Sequence, residues 1–155
     1  MTLLAIDPGR SFKGEASIGV CLWSRQWEWR ELHRFETTFE ELVDALDYDS
    51  SGLTGWGRAL HEVVIEDYVN NAQSKGGQHN GTSECIGAVE ALCRKSKTPF
   101  TRQEPAALGP AKLHAPAGSW KPLKHLRHED SAYLHGYEFL VRRGELQSAG
   151  LRGTL

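Results

Sequence analysis

The sequence of 155 residues lacks the features that mark several large protein classes. No apolar run approaches the roughly 18 residues of a membrane span, and no basic start or cleavage site precedes the first strand-like segment. The three cysteines form neither a CxxC pair nor an even framework, which argues against a zinc knot or a disulfide scaffold. No glycine fingerprint of dinucleotide-binding folds follows the first strand. We therefore expect a single domain, residues 1–155, that is soluble, cytoplasmic and without a membrane partner.

Charge is nearly balanced over the whole chain but unevenly distributed along it. The formal net charge is −2, yet residues 1–90 hold 7 Lys+Arg against 15 Asp+Glu, a net −8. Residues 91–155 hold 11 against 5, a net +6. This asymmetry suits an enzyme in which an acidic, cation-binding cavity lies beside a basic surface that grips phosphates. Chance unevenness of solvated charges explains it equally well.

Hydrophobic periodicity predicts the element order β-β-β-α-β-α-β-α. TLLAID is a continuous apolar run typical of a central strand, and ASIGVCLW and EWRELHRFE favour antiparallel second and third strands. Thr38 caps a predicted first helix, HEVVIEDYV and PFTRQ predict further strands, and Thr82 or Ser83 caps a second helix. HEDSAYLHGYEFLVRR predicts the last helix, after a proline-marked stretch that allows at most a helical turn or two. An antiparallel start with a parallel continuation indicates an α/β domain with a mixed five-stranded sheet flanked by helices.

Three carboxylates stand where these elements begin or end. Asp7 ends the first strand, Glu66 ends the fourth, and Asp130 lies in the first turn of the last helix. Neighbouring strands lie about 4.8 Å apart, so carboxylates at corresponding ends converge, and Asp130 joins them if the helix packs over that end. Converging carboxylates repel one another and favour a divalent cation between them. Oxygen ligands favour Mg²⁺ or Mn²⁺, which predicts metal-assisted hydrolysis of a phosphodiester.

Simpler explanations exist for each of these carboxylates. Asp7 precedes Pro8 and Gly9, and Asp-Pro-Gly is a favourable turn sequence without any catalytic role. Asp130 is also a favourable negative charge near the N-terminus of a helix. The order of the three residues along the chain, more than any one of them, favours the metal site.

Three segments carry a family resemblance: AIDPGRSFKGEASIGVCLW, VVIEDYV and HEDSAYLHGYEFL. In this order and at these distances they resemble the RuvC family of Holliday junction resolvases, which have a ribonuclease H-like fold. The phage-encoded branch of that family fits the short length best. The resemblance implies a homodimeric, Mg²⁺-dependent endonuclease that nicks branched, four-way DNA junctions, in the host cytoplasm if phage-encoded. Asp7, Glu66 and Asp130 carry over as its metal ligands.

The chain departs from the family pattern at a fourth position. Family members carry an acidic residue or histidine one turn before the final aspartate, but here Arg127 stands three residues before Asp130. His128 or Glu129 could substitute if the helix begins at this point, and of the two we expect His128 in the catalytic site. The gap also leaves the register of Asp130 open. This departure keeps two alternatives open: a nuclease of the same fold with another nucleic-acid substrate, and a junction-binding protein with a decayed active site.

Basic and polar residues near these motifs are candidates for contacts with the DNA backbone. A glycine-rich loop follows the fourth strand, and a cluster of basic residues precedes the last helix. A solvated basic face is the alternative for the second group. The candidates for DNA binding are Lys75, Gln78, His79, Lys124 and Arg127.

Overall fold

The computed structural model describes residues 1–9, 17–47, 53–67 and 81–148. Within these residues the elements are β1 (Thr2–Asp7), β2 (Ile18–Arg25), β3 (Trp29–Thr37), α1 (Phe39–Leu46), β4 (Glu62–Glu66), α2 (Gly81–Ser96), β5 (Phe100–Gln103), a 3-10 turn (Pro105–Ala107), α3 (Leu108–His114) and α4 (His128–Arg142). No helix in the described ranges is long and apolar enough to cross a membrane.

The strands form one mixed five-stranded sheet in the order β3-β2-β1-β4-β5. The β1-β2 and β2-β3 pairs are antiparallel, whereas the β1-β4 and β4-β5 pairs are parallel. The predicted fold class is therefore confirmed. The side chain of Thr38 accepts a hydrogen bond from the Glu41 N–H at 3.1 Å, as a capping residue should. The prediction that Thr82 or Ser83 caps α2 is wrong, because both residues lie inside the helix, which begins at Gly81.

Helices cover both faces of the sheet, which explains why β1 is buried along its whole length. Leu4 and Ile6 belong to a core cluster with residues of α1 and α2, whereas Leu3 and Ala5 belong to a second cluster with residues of α3 and α4. Side chains alternate between the faces of a strand. Asp7, the next residue on the Leu3 and Ala5 side, therefore emerges beneath α4.

Two glycines allow α4 to lie close against the sheet. A Cβ atom added to Gly136 would stand 2.4 Å from Nε1 of Trp23 and 3.0 Å from Cβ of Ala5. A Cβ atom added to Gly19 on β2 would stand 1.9 Å from the carbonyl oxygen of His128. Gly19 is the register partner of Asp7. The first turn of α4 consequently rests directly over the end of β1.

Candidate active site

Asp7 is a buried carboxylate with a different contact at each oxygen. The residue is 6% exposed; Oδ1 accepts the Gly9 N–H at 2.8 Å, and Oδ2 lies 3.3 Å from Nδ1 of His128. The first contact is the turn expected of Asp-Pro-Gly, and Gly9 completes it with a φ of +53°. Burial raises the pKa of Asp7, but hydrogen bonding from His128, Ser131 and the Gly9 N–H outweighs burial and lowers the pKa below its ordinary value. Asp7 is therefore ionised at neutral pH.

Glu66 lies beside Asp7 at the same edge of the sheet. Ile6 of β1 pairs with Ile65 of β4 in parallel register, so Asp7 and Glu66 are the next residues on neighbouring strands. Equivalent positions on parallel strands point to the same face and are separated by about 4.8 Å. The structure thus brings these two predicted site residues together on the face covered by α4.

His128 is the first residue of α4 and stands at the solvent edge of this pair. Its hydrogen bond with Asp7 raises its pKa, burial partly opposes the increase, and the charges of Asp7, Glu36 and Glu66 add to it. The side chain is 37% exposed. His128 therefore contacts the buried carboxylate on one side and remains accessible from solvent.

Asp130, by contrast, is paired with a permanent cation. Its Oδ1 accepts from Nη1 of Arg34 at 2.9 Å, and its Oδ2 accepts the Lys121 N–H at 3.1 Å. The Arg34 guanidinium also donates to both oxygens of Glu31 and stacks 3.8 Å from the ring centre of Tyr133. The contacts of Asp130 thus join α4 to β3 and to the segment before the helix.

A bulge in the β2-β3 pair creates this arginine contact. Leu22 pairs with His33, but the next residue, Trp23, pairs with Glu31, so the register shifts between them. In a regular strand, Glu31 and Arg34 would face opposite sides, because they are three residues apart. The bulge turns both toward α4.

Ser131, not Asp130, follows His128 on the helix face above Asp7. Residues three apart are neighbours on a helix surface, whereas residues two apart face different directions. The Ser131 hydroxyl contributes to the lowered pKa of Asp7. Its oxygen is fully buried and has no hydrogen-bond partner of normal geometry within the described residues. The helix position one turn after His128, on the face above Asp7, is therefore a serine rather than the predicted ligand Asp130.

His135 contacts Glu66 from inside the core, and Gln103 contacts His135 in turn. Nε2 of His135 lies 2.5 Å from Oε2 of Glu66, and Nε2 of Gln103 lies 2.9 Å from Nδ1 of His135. Neither residue was predicted from the sequence, and neither was Ser131. A signal was present, because His128, Ser131 and His135 are spaced i, i+3 and i+7, the repeat of one helix face.

The donor set suits a hard divalent cation that keeps part of its water shell. Within the described residues, no group of three or more His, Cys, Asp or Glu side chains is placed to hold a metal ion. Mg²⁺ commonly binds through one or two carboxylates and takes its other ligands from water and substrate phosphates. Asp7 and Glu66 supply two carboxylates, and the buried Oγ of Ser131 faces Asp7. The residues present therefore fit Mg²⁺ or Mn²⁺.

The candidate DNA contacts fall in two places. Lys124 and Arg127 are exposed just before α4, and Nη1 of Arg127 lies 3.7 Å from an oxygen of Glu129. Between Glu104 and Glu129 the sequence contains no acidic residue, so the Lys and Arg side chains of this stretch give it a net positive charge. The other three candidates, Lys75, Gln78 and His79, lie outside the described residues.

Comparison with known proteins supports the fold. No protein-family model matches the chain, and no curated protein sequence is significantly similar to it. The RuvC structure from Thermus thermophilus matches with a TM-score of 0.58 and 15% identity over 95% of this chain and 99% of that chain. T. thermophilus RuvC in complex with a Holliday junction substrate matches with a TM-score of 0.58 and 17% identity, over 95% and 98%. The mixed five-stranded sheet and its four described helices thus form a RuvC-like fold of the ribonuclease H type.

Proposed function

We propose that the protein is a Mg²⁺-dependent endodeoxyribonuclease that cleaves four-way Holliday junctions or other branched DNA. One observation carries the proposal: Asp7 and Glu66 lie side by side at the ends of neighbouring parallel strands, beneath the first residue of α4. Adjacent ionised carboxylates repel each other, and a divalent cation between them relieves that repulsion. The likeness of the fold to RuvC, including a RuvC structure with a junction substrate, supports the choice of DNA substrate.

Each residue at the site has a separate role in this proposal. Asp7 and Glu66 would hold Mg²⁺, with Mn²⁺ as a substitute, and the bound ion would supply Lewis-acid polarisation of the scissile phosphate and a site for the attacking water. His128, exposed to solvent and in contact with Asp7, is the residue placed to transfer a proton. We leave Asp130 out of the ligand set, because it already forms an ion pair with Arg34, a permanent cation.

DNA binding in this proposal depends on the basic stretch that precedes α4. Lys124 and Arg127 are exposed next to the helix end that carries His128. Such side chains neutralise phosphates without reading base sequence, and each contact makes binding more sensitive to salt. Lys75, Gln78 and His79 stay sequence-based predictions for the same role.

The oligomeric state and the biological source remain predictions from the resemblance. Symmetric cleavage of a four-way junction requires two active sites, so we expect a homodimer, which light scattering coupled to size-exclusion chromatography measures. The phage-type branch, and with it residence in a host cytoplasm, follows from the sequence resemblance alone.

A cleavage assay with end-labelled four-way junction tests the proposed function. Wild type should nick the junction with Mg²⁺ and should not nick it with EDTA. Asp7→Asn should bind the junction in a gel-shift assay and lose nicking by at least about 100-fold, because a neutral amide does not replace the charged ligand. Equal nicking by both proteins would refute the metal role of Asp7. Parallel reactions with flaps, RNA–DNA hybrids and plain duplex identify the preferred substrate.

A junction-binding protein with a decayed site is the second candidate, and a specific observation favours it. Asp130, the third ligand implied by the resemblance, is paired with Arg34, and Ser131 faces Asp7 instead, so the site has one carboxylate fewer than the family pattern. This candidate predicts that wild type binds the junction equally well with Mg²⁺ or EDTA and does not nick it under either condition. The same assay therefore distinguishes the two functions.

A further inference from the structure

A buried polar pair stands behind Glu66 in the core. Gln103 ends β5 and is the register partner of Glu66 on the neighbouring parallel strand. His135 lies two turns after His128 on α4 and has no exposed surface. Buried polar groups are costly unless each one is hydrogen-bonded, so the contacts of this pair define its chemical state.

The contacts of Gln103 determine which nitrogen of His135 carries the proton. Nε2 of Gln103 lies 2.9 Å from the His135 carbonyl oxygen and 2.9 Å from Nδ1 of the same residue. A carbonyl oxygen only accepts, so the Gln103 atom is the amide nitrogen, which has two hydrogens to donate. Nδ1 therefore accepts the second hydrogen and carries no proton.

The proton on the other ring nitrogen is directed at the candidate metal ligand. With Nδ1 unprotonated, the neutral imidazole carries its hydrogen on Nε2, which lies 2.5 Å from Oε2 of Glu66. This hydrogen bond restricts the carboxylate to one orientation. Oε2 therefore accepts the hydrogen bond from His135, and Oε1 has no contact with that residue.

We propose that Gln103 and His135 are positioning residues for Glu66. Gln103 fixes the His135 tautomer, and Nε2–H of His135 holds Oε2 so that Glu66 binds a divalent cation through Oε1 alone. The proposal rests on the proposed function, since it assumes that Glu66 is a metal ligand. Groups that hydrogen-bond to metal ligands in this way typically change metal affinity by about 10- to 100-fold when they are replaced.

The tautomer is tested first, on the unaltered protein. Long-range ¹H–¹⁵N correlation spectra of uniformly labelled wild type distinguish protonated from unprotonated ring nitrogens, and the His135→Asn spectrum assigns the signals. We expect Nε2 protonated and Nδ1 unprotonated in His135. A protonated Nδ1 would overturn the inference without affecting the proposed nuclease function.

Mn²⁺ binding, followed by electron paramagnetic resonance, tests the positioning role without any cleavage assay. Glu66→Gln should abolish binding, and His135→Asn and Gln103→Met should weaken it by about 10- to 100-fold. His135→Gln, which can present an amide N–H toward Glu66, should recover part of the loss. His114→Asn is the matched control, because it also removes a contact between a histidine and a glutamate. Nδ1 of His114 lies 2.6 Å from Oε2 of Glu138, a residue of α4 outside the proposed metal site. His114→Asn should leave Mn²⁺ affinity unchanged.

The possible outcomes separate the inference from the proposed function. If wild type binds no Mn²⁺, the proposed function and the positioning role both fail. If wild type binds, Glu66→Gln does not, and both His135→Asn and Gln103→Met bind like wild type, only the positioning role is refuted. Urea unfolding of every variant identifies loss of folding. If His135→Asn does not fold, the His135→Gln spectrum assigns the signals of His135. The Mn²⁺ affinity of Gln103→Met then decides whether the positioning role holds.

Discussion

Two aspartates of this protein, Asp7 and Asp130, are almost equally buried but differ in what contacts them. Asp7 is 6% exposed and Asp130 is 7% exposed. Asp130 contacts Arg34, a permanent cation, and a backbone N–H. Asp7 contacts an imidazole at 3.3 Å and has Glu66 as its neighbour on the next strand. Burial alone therefore does not distinguish a carboxylate that stabilises the fold from one that is available to a cation.

The difference lies in the charge of the surroundings. The Asp130 carboxylate is neutralised within the protein, and the Arg34 that neutralises it is itself shared with Glu31. Asp7 and Glu66 instead contact the imidazoles of His128 and His135, which carry no permanent charge, so negative charge remains at this pair. The remaining negative charge is what attracts a divalent cation to this end of the sheet.

Gly19→Ala should have the largest effect, because it removes the close approach on which the Asp7 site depends. The new Cβ atom would stand 1.9 Å from the His128 carbonyl oxygen, and backbone cannot move as easily as a side chain. We expect α4 to shift, His128 to separate from Asp7, and the free energy of unfolding to fall by more than about 3 kcal/mol. Urea denaturation measures the loss.

Gly87→Ala provides the matched control for that substitution. Gly87 lies within α2 and is exposed, and a Cβ atom added to it would have open space for 4 Å around it. Alanine should raise the free energy of unfolding by about 0.5–1 kcal/mol, since it has the higher helix propensity. If Gly19→Ala unfolded at the same urea concentration as wild type, α4 would not rest on β2 as described.

Replacing each of the two aspartates with asparagine should separate their effects on stability from their effects on metal binding. Asp130→Asn removes a charged partner of Arg34 and should lower the free energy of unfolding by about 1.5–3 kcal/mol, with Mn²⁺ affinity unchanged. Asp7→Asn should lose Mn²⁺ binding yet change the metal-free stability by less than about 1 kcal/mol. The amide still accepts from the Gly9 N–H, and removing the charge relieves repulsion with Glu66. Urea unfolding in EDTA and Mn²⁺ titration of both variants make the comparison.

The reverse result would give the two aspartates opposite roles. If Asp130→Asn lost Mn²⁺ binding and Asp7→Asn lost stability, Asp130 would be the ligand implied by the family resemblance. The pairing of Arg34 with Asp130 would then have to break when a cation binds.

The sheet was predictable because its signals are local. Apolar runs covered on both faces, a capping threonine and alternating strands each appear within a few neighbouring residues, and they agree with one another. The pairing of Asp7 with Glu66 followed from two strand ends and the fixed spacing of a parallel sheet.

The far side of the site was less predictable, because it depends on helix phase and on a bulge. One residue along a helix rotates the side chain by about 100°, so the choice between Asp130 and Ser131 required the helix orientation. The contact of Arg34 with Asp130 required a register shift between Leu22 and Trp23, for which the sequence carries no distinct signal. The position of His135 on the same helix face as His128 could have been predicted from their spacing of seven residues.

Ser131→Asp sharpens the comparison by adding a carboxylate to the Asp7 side of α4. The new side chain would follow His128 by one turn, in the position of the buried Ser131 oxygen, and would give the site a third acidic group. We expect Mn²⁺ affinity to increase by about tenfold, equivalent to about 1.4 kcal/mol. In EDTA the same variant should be less stable than wild type, because the added charge faces Asp7 without a cation.

Ser131→Asn is the matched control, since it has the same shape without the charge. Mn²⁺ should restore the stability of Ser131→Asp and have a much smaller effect on Ser131→Asn, which thermal unfolding with and without the ion measures. Equal responses of the two variants would mean that position 131 does not face the cation. In that case the cation site would not be completed by the helix face that carries His128 and His135.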